Sequence, residues 1–137
     1  MKLKTWLANR RLTRALDAKE KQLGIAWDPD RRRMVRAGGV DLHHLPGLAR
    51  RAGDGLAELV LDDDHQRLDP ARIEQHELLA LRLVDRQVAA RESELWGVAP
   101  ETAEAAADAL RRAIRAIAEY ERARRRLVQQ YGRGIAA

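Results

Sequence analysis

The stretch ESELWGVAPET, residues 92–102, separates two long runs in which apolar residues recur every three or four positions. Gly97 suits the end of a helix. Pro100 and Glu101 suit the first turn of the next helix, because proline has no amide proton to lose there and an acidic side chain is favourable near the positive end of the helix dipole. The stretch therefore predicts a turn at 96–100 that joins two antiparallel helices.

Both flanking runs have the pattern of amphipathic helices. Asp69 suits an N-cap, with Pro70 at the first helical position. Glu77 falls inside the apolar face of the first helix and needs a partner there. The predicted apolar faces are Ile73, Ala80, Leu81, Val84, Val88 and Leu95, widened by Leu78 and Leu83, in the first helix, and Leu110, Ile114, Ile117, Val128 and Tyr131 in the second. Residues 67–137 are thus predicted to form a long helical hairpin.

Residues 1–66 have a different pattern. A helix is predicted from Lys2 to Leu23, with its inner side at Leu12, Leu16 and Leu23 and its end at Gly24. Residues 24–41 interrupt the helical pattern, and RRRMVRA at 31–37 is either a short strand or an arm. A further, glycine-weakened helix is expected around residues 45–59. The predicted fold class is all-α, an N-terminal helical region followed by the hairpin, and we expect it to oligomerise because a lone hairpin exposes apolar surface.

Positive charge is concentrated at the two ends of the sequence. The chain has a net charge of +5; residues 1–36 hold 11 basic and 4 acidic groups, and residues 99–137 hold 8 and 5. Clustered lysine and arginine displace counterions from phosphates, so this distribution indicates a nucleic-acid partner.

Two arginine sets are the candidate nucleic-acid contacts. In the last helix, four arginines spaced by 4, 7 and 4 positions fall within about 60° of one another and can follow a phosphate backbone. A denser set lies near the N-terminus, where Trp6 and Trp27 either stack on bases or anchor a core. The candidate residues are Arg111, Arg115, Arg122 and Arg126 in the first set, and Arg10, Arg11, Arg14, Arg31, Arg32 and Arg33 in the second.

Other chemistries are weakly supported. The four histidines do not have the Glu-x-x-His spacing of helical carboxylate metal sites, and no nucleophile elbow or glycine-rich phosphate loop is present. We therefore expect no metal, no cofactor and no catalysis. No apolar run approaches the ~20 residues of a membrane span, so we expect no membrane partner and a cytoplasmic or virion-associated location.

The leading functional hypothesis is a non-enzymatic helical assembly subunit that contacts nucleic-acid backbone, independently of base sequence, through its arginine-rich faces. Its layout is like that of phage DNA-packaging small subunits or the small helical subunits of CRISPR complexes, an analogy of layout without a shared motif. Self-association, or association with other subunits, would use the hairpin at 69–131. The alternative is a protein–protein adaptor or structural subunit without nucleic-acid contact.

Overall fold

The computed structural model describes residues 2–31, 33–45, 70–89 and 100–136, and they are mostly helical. Three α-helices are present among them: α1, Lys2–Leu23; α2, Pro70–Ala89; and α3, Pro100–Ala136. Pro70 and Pro100, predicted to lie in the first turns, are helical and are the first described residues of α2 and α3. The predicted turn at 96–100 and the predicted helix around 45–59 lie outside the described residues, apart from Leu45 and Pro100 at their edges.

Helix α1 ends where the sequence predicts. Gly24 has a left-handed φ of +64°, and the amides of Gly24 and Ile25 donate to the carbonyls of Lys21 and Glu20, at 3.3 and 2.9 Å. This pair of hydrogen bonds is the Schellman arrangement, which satisfies carbonyls at the end of a helix. Ile25 is buried directly after it. The chain therefore turns sharply back towards the core.

A small antiparallel sheet follows α1, which the all-α prediction omits. Its strands are β1, Ala26–Asp28; β2, Arg33–Ala37; and β3, Val40–Asp41, in the order β1-β2-β3. Within the segment 31–37, residues 33–37 are thus strand, one of the two predicted alternatives. A short 3-10 helix, Leu42–His44, comes next, and the Asp41 side chain accepts a hydrogen bond from the His43 amide at 2.9 Å.

The turn between β2 and β3 fixes the sheet against the helices. Gly38 and Gly39 both have positive φ, as a two-residue hairpin turn requires. The Gly38 amide donates to the Leu23 carbonyl at 3.0 Å. A Cβ at Gly38 would lie 3.0 Å from the Arg112 carbonyl oxygen, so only glycine allows this close approach to α3.

Helix α3 is the centre of the packing, and both α1 and α2 pack against it. Leu110, Ile114 and Ile117 are buried as predicted, and they are interleaved with small buried residues that let the neighbouring helices come close. These small residues are Ala103, Ala106, Ala107, Ala113, Ala116, Ala118 and Ala123. Met34 and Leu42 bring the sheet region into the same core.

Only part of the apolar face predicted for α2 is buried, and the predicted inner side of α1 is half-buried. Ile73 and Val84 of α2 are buried, whereas Leu78 and Leu83, predicted to widen that face, are 46% and 57% exposed. Because an α-helix advances 100° per residue, Leu78 and Leu83 lie on opposite flanks of the face that meets α3. On α1, Leu12, Leu16 and Leu23 are half-buried as predicted.

The ion pairs between α2 and α3 show that these two helices are antiparallel. Glu77 and Asp85 of α2 pair with Arg122 and Arg111 of α3, respectively, which is the order of an antiparallel pair. The complete hairpin and the oligomer remain predictions. No helix in the described segments is long and apolar enough to cross a membrane.

Candidate nucleic-acid interface

The four predicted arginines of α3 divide into two pairs with different surroundings. Arg111 and Arg122 lie towards α2, and Arg115 and Arg126 are exposed to solvent. The helical repeat alone places all four on one face. The position of α2 is what separates them.

Arg111 is held by carboxylates. Its Nη2 lies 2.9 Å from Asp85 Oδ1 on α2, and its Nη1 lies 2.6 Å from Asp108 Oδ1 and 3.8 Å from Glu104 Oε1. Partial burial lowers the pKa of Arg111, but its hydrogen bonds and charge interactions with Asp85 and Asp108 outweigh burial, so the pKa is raised above its ordinary value. This guanidinium is engaged in linking α2 to α3.

Arg122 forms the second link. Its Nη1 lies 2.7 Å from Glu77 Oε2, and the Glu77 side chain is only 17% exposed. The pair explains the acidic residue that interrupts the apolar face of α2, because a largely buried carboxylate requires a charged or hydrogen-bonding partner.

Arg115 lines an open cleft that the sequence did not predict. The cleft has a volume of about 570 Å³ and lies where the end of α1, the Gly38–Gly39 turn and α3 meet. Lys21, Arg112 and Arg115 provide its positive charge, and Glu119 is the one acidic residue in its lining. Glu119 is 3.6 Å from Lys19 Nζ. The cleft is therefore net positive.

A second cleft of about 370 Å³ lies further along the contact between α1 and α3. From α1 it is lined by Lys4, Leu7, Ala8 and Arg11, and from α3 by Gln130 and Tyr131. On a helix that advances 100° per residue, positions 112, 119, 126 and 130 fall within about 40° of one another, so both clefts lie on the same side of α3.

We call these two clefts together the α1–α3 groove. Its residues extend from Arg112 to Gln130, a length of about 27 Å at roughly 1.5 Å per residue. The basic residues that line the groove are Lys4, Arg11, Lys21, Arg112 and Arg115, and the acidic one is Glu119. Arg126 lines neither cleft but is exposed on the same side of α3.

The other predicted arginines lie elsewhere. Arg10 and Arg14 are exposed on the side of α1 that faces away from α3, and the Arg10 guanidinium carbon is 5.1 Å from the centre of the Trp6 ring. Arg31 is exposed in the turn after β1, with its Nε 3.7 Å from Asp28 Oδ2. Arg32 and the side chain of Arg33 lie outside the described residues.

Three groove residues were missed by the sequence interpretation: Lys4, Lys21 and Arg112. The helical repeat places Lys21 opposite the leucines of α1, but periodicity cannot show that α1 lies antiparallel on α3. Only that packing brings Lys21 to Arg112.

A second group of charged residues is centred on a buried carboxylate in α3. Glu121 is fully buried, and Arg124 Nε and Arg125 Nε donate to its two oxygens at 3.1 and 3.0 Å. Burial raises the pKa of Glu121, and the two arginines oppose that rise. The Tyr120 hydroxyl donates to Glu20 Oε1 at 2.8 Å. This second contact joins α3 to α1, so the cluster contributes to the fold rather than to a surface site.

The described residues contain no group of three or more His, Asp or Glu side chains that could hold a metal ion. His76 lies half-buried on α2, and His65 is outside the described residues.

Comparisons with known proteins give no family for this chain: no family model matches it, and no curated protein or solved structure is significantly similar to it.

Proposed function

We propose that the protein is a helical assembly subunit that binds the backbone of nucleic acid in the α1–α3 groove, without reading bases. The observation that supports this is the convergence of Lys21, Arg112 and Arg115 on one open cleft. None of the three has an ion pair with another described residue. Exposed cations that repel one another become favourable when a polyanion lies between them.

The groove has dimensions suited to a phosphate backbone. Its basic residues are distributed along about 27 Å of helix. Guanidinium groups bind phosphate oxygens in bidentate geometry, which gives Arg112 and Arg115 the geometric role, while Lys21 contributes a point charge. Phosphate contacts hold a strand in place without specifying its sequence.

Of the ten predicted arginine contacts, Arg11 and Arg115 line the groove, and Arg126 is exposed on the same side of α3. We assign Arg111 and Arg122 to the α2–α3 contact, because each has a carboxylate partner within 3 Å. We expect nucleic acid to compete poorly with those intramolecular partners.

Fluorescence anisotropy with a labelled duplex tests the proposal. We expect binding at low salt, and an affinity that falls about 150-fold between 50 and 200 mM salt if roughly four phosphates are neutralised. The variant Lys21→Gln/Arg112→Gln/Arg115→Gln should lose most of the binding. A matched control removes three exposed arginines from α2 and should retain at least half of the affinity; it is Arg72→Gln/Arg82→Gln/Arg86→Gln. Absence of binding at low salt would rule the proposal out.

The second candidate is an adaptor or structural subunit whose partner is a protein. It is favoured by the exposed leucines of α2: Leu78, Leu79 and Leu83 are 46%, 56% and 57% exposed. Large apolar side chains on one helix surface are typical of protein contacts. The groove variant Lys21→Gln/Arg112→Gln/Arg115→Gln separates the candidates: loss of nucleic-acid binding at unchanged assembly mass supports the first, and loss of assembly without a nucleic-acid effect supports the second.

A further inference from the structure

The first two turns of α1 expose three large apolar side chains; Leu3 and Trp6 face away from α3, and Leu7 also borders the cleft lined by Gln130 and Tyr131 of α3. Leu3, Trp6 and Leu7 are 67%, 52% and 37% exposed. They lie within about 100° of one another around the helix axis. We call them the α1 apolar patch. Exposed apolar area of this kind is unfavourable in water and becomes favourable when a partner covers it.

The patch is surrounded by positive charge. Between Lys2 and Leu16 the sequence has five basic residues and no acidic one. The five are Lys2, Lys4, Arg10, Arg11 and Arg14. Lys2 and Lys4 lie on the two flanks of the patch, and Arg10 stacks over the Trp6 ring at 5.1 Å. A partner that covers the patch must therefore offer apolar groups to the leucines and Trp6, and anionic groups to the surrounding lysines and arginines.

Nucleic acid in the α1–α3 groove does not satisfy this requirement. Trp6 lies about 160° around the helix from Lys4, which lines the groove, so a strand in the groove does not reach the Trp6 ring. Nucleic acid also offers no apolar layer for Leu3 and Leu7.

An anionic lipid surface satisfies both conditions. Leucine side chains enter the boundary between headgroups and acyl chains, tryptophan is favoured at the depth of the headgroups, and flanking lysine and arginine pair with acidic headgroups. The sequence predicts no membrane partner because it lacks a spanning segment, but a helix that lies on a bilayer needs none.

We infer that the α1 apolar patch and its surrounding cations form a docking surface for an anionic lipid bilayer, with α1 lying in the plane of the interface. The inner side of α1 stays packed on α3. This contact adjoins the groove at Lys4, Leu7 and Arg11, but Leu3, Trp6, Arg10 and Arg14 line neither cleft. It does not require the nucleic-acid function.

Vesicle cosedimentation of the full chain tests the inference, with phosphatidylcholine vesicles compared with vesicles that contain about one third phosphatidylserine. We expect binding to the anionic vesicles only. Arg10→Gln/Arg14→Gln should weaken it roughly 25-fold, because each cation near an anionic surface contributes about fivefold. Leu3→Ser/Trp6→Ala should weaken it at least about tenfold through lost apolar contact.

The matched control is Leu79→Ser/Leu83→Ser, which removes two equally exposed apolar side chains from α2 and should leave vesicle binding unchanged. Circular dichroism of every variant verifies that the helices remain folded. The inference fails if anionic vesicles do not bind at low salt, or if the α2 control and Leu3→Ser/Trp6→Ala have the same effect.

Two further results would also overturn it by showing a different occupant. In the first, Leu3→Ser/Trp6→Ala lowers the assembly mass and leaves vesicle binding unchanged. That result would assign the patch to a second copy of the chain. The other is a selective loss of single-stranded oligonucleotide affinity in Trp6→Ala, which assigns the ring to base stacking.

Discussion

Replacing Arg122 with glutamine should destabilise the protein even though Arg122 belongs to the same periodic arginine row as Arg126. Arg122 Nη1 lies 2.7 Å from Glu77 Oε2, and the Glu77 side chain is 17% exposed. Exposed ion pairs contribute roughly 0.2–1 kcal/mol. Removal of a partner from a mostly buried carboxylate costs more, about 1–3 kcal/mol, because the carboxylate is then desolvated without compensation. We expect a loss of about 2 kcal/mol in the free energy of unfolding.

Urea unfolding followed by circular dichroism measures this loss. Arg126→Gln is the matched control, because Arg126 is exposed on the same helix four residues further along; its effect should stay within about 0.5 kcal/mol. Glu77→Gln/Arg122→Gln completes a double-mutant cycle, with an expected coupling of about 1 kcal/mol. If Arg122→Gln is no more destabilising than Arg126→Gln, the assignment of Arg122 to the α2–α3 contact is wrong.

Three other substitutions test the packing around α3, all by the same unfolding measurement. Gly24→Ala should cost at least about 1–2 kcal/mol, because Gly24 has φ +64° and a Cβ there would lie 2.7 Å from the Gly39 nitrogen; a neutral result would contradict the turn geometry. Ala113→Leu should cost about 1–3 kcal/mol by overpacking a fully buried position, and unchanged stability would mean that α3 is not closely covered there. Tyr120→Phe should cost about 1 kcal/mol at neutral pH through the lost hydrogen bond to Glu20. Burial and the Glu20 hydrogen bond raise the pKa of Tyr120. The Tyr120 hydroxyl therefore contributes its full stability at pH values below 10.0, the ordinary tyrosine pKa, and that contribution is lost as the pH rises further. Tyr120→Phe should abolish this pH-dependent loss.

Much of the helical structure was predictable from local chemistry. Pro70 and Pro100 mark helix starts because proline is tolerated in the first turn, and Gly24 marks an end because it adopts a left-handed φ without steric cost. The apolar spacing at Leu110, Ile114 and Ile117 identified the buried side of α3 correctly. Each of these signals depends on residues within a few positions of one another.

The sheet was not predictable in the same way. β1 and β3 have three and two residues, too few to show the alternation of apolar and polar residues that identifies a strand. Adjacent glycines at 38 and 39 are typical of a turn, but strand pairing depends on the contact of that turn with Leu23 and Arg112. That contact is tertiary.

The candidate site also depends on tertiary contacts that a local sequence pattern does not show. Periodicity placed Arg111, Arg115, Arg122 and Arg126 on one face, and it could not indicate which of them α2 would engage. Two have carboxylate partners on α2, and two face solvent. Conversely, Lys21 and Arg112 are separated by 90 residues in the sequence and meet only because α1 packs antiparallel on α3.

The salt dependence of duplex binding tests the groove most directly. For each phosphate neutralised, the slope of log affinity against log salt concentration changes by about 0.9. We expect Lys21→Gln/Arg112→Gln/Arg115→Gln to make this slope shallower by about 2.7 and the Arg72→Gln/Arg82→Gln/Arg86→Gln control to leave it unchanged. A slope that is the same in wild type and in the groove variant would contradict the assignment of the groove as the nucleic-acid interface.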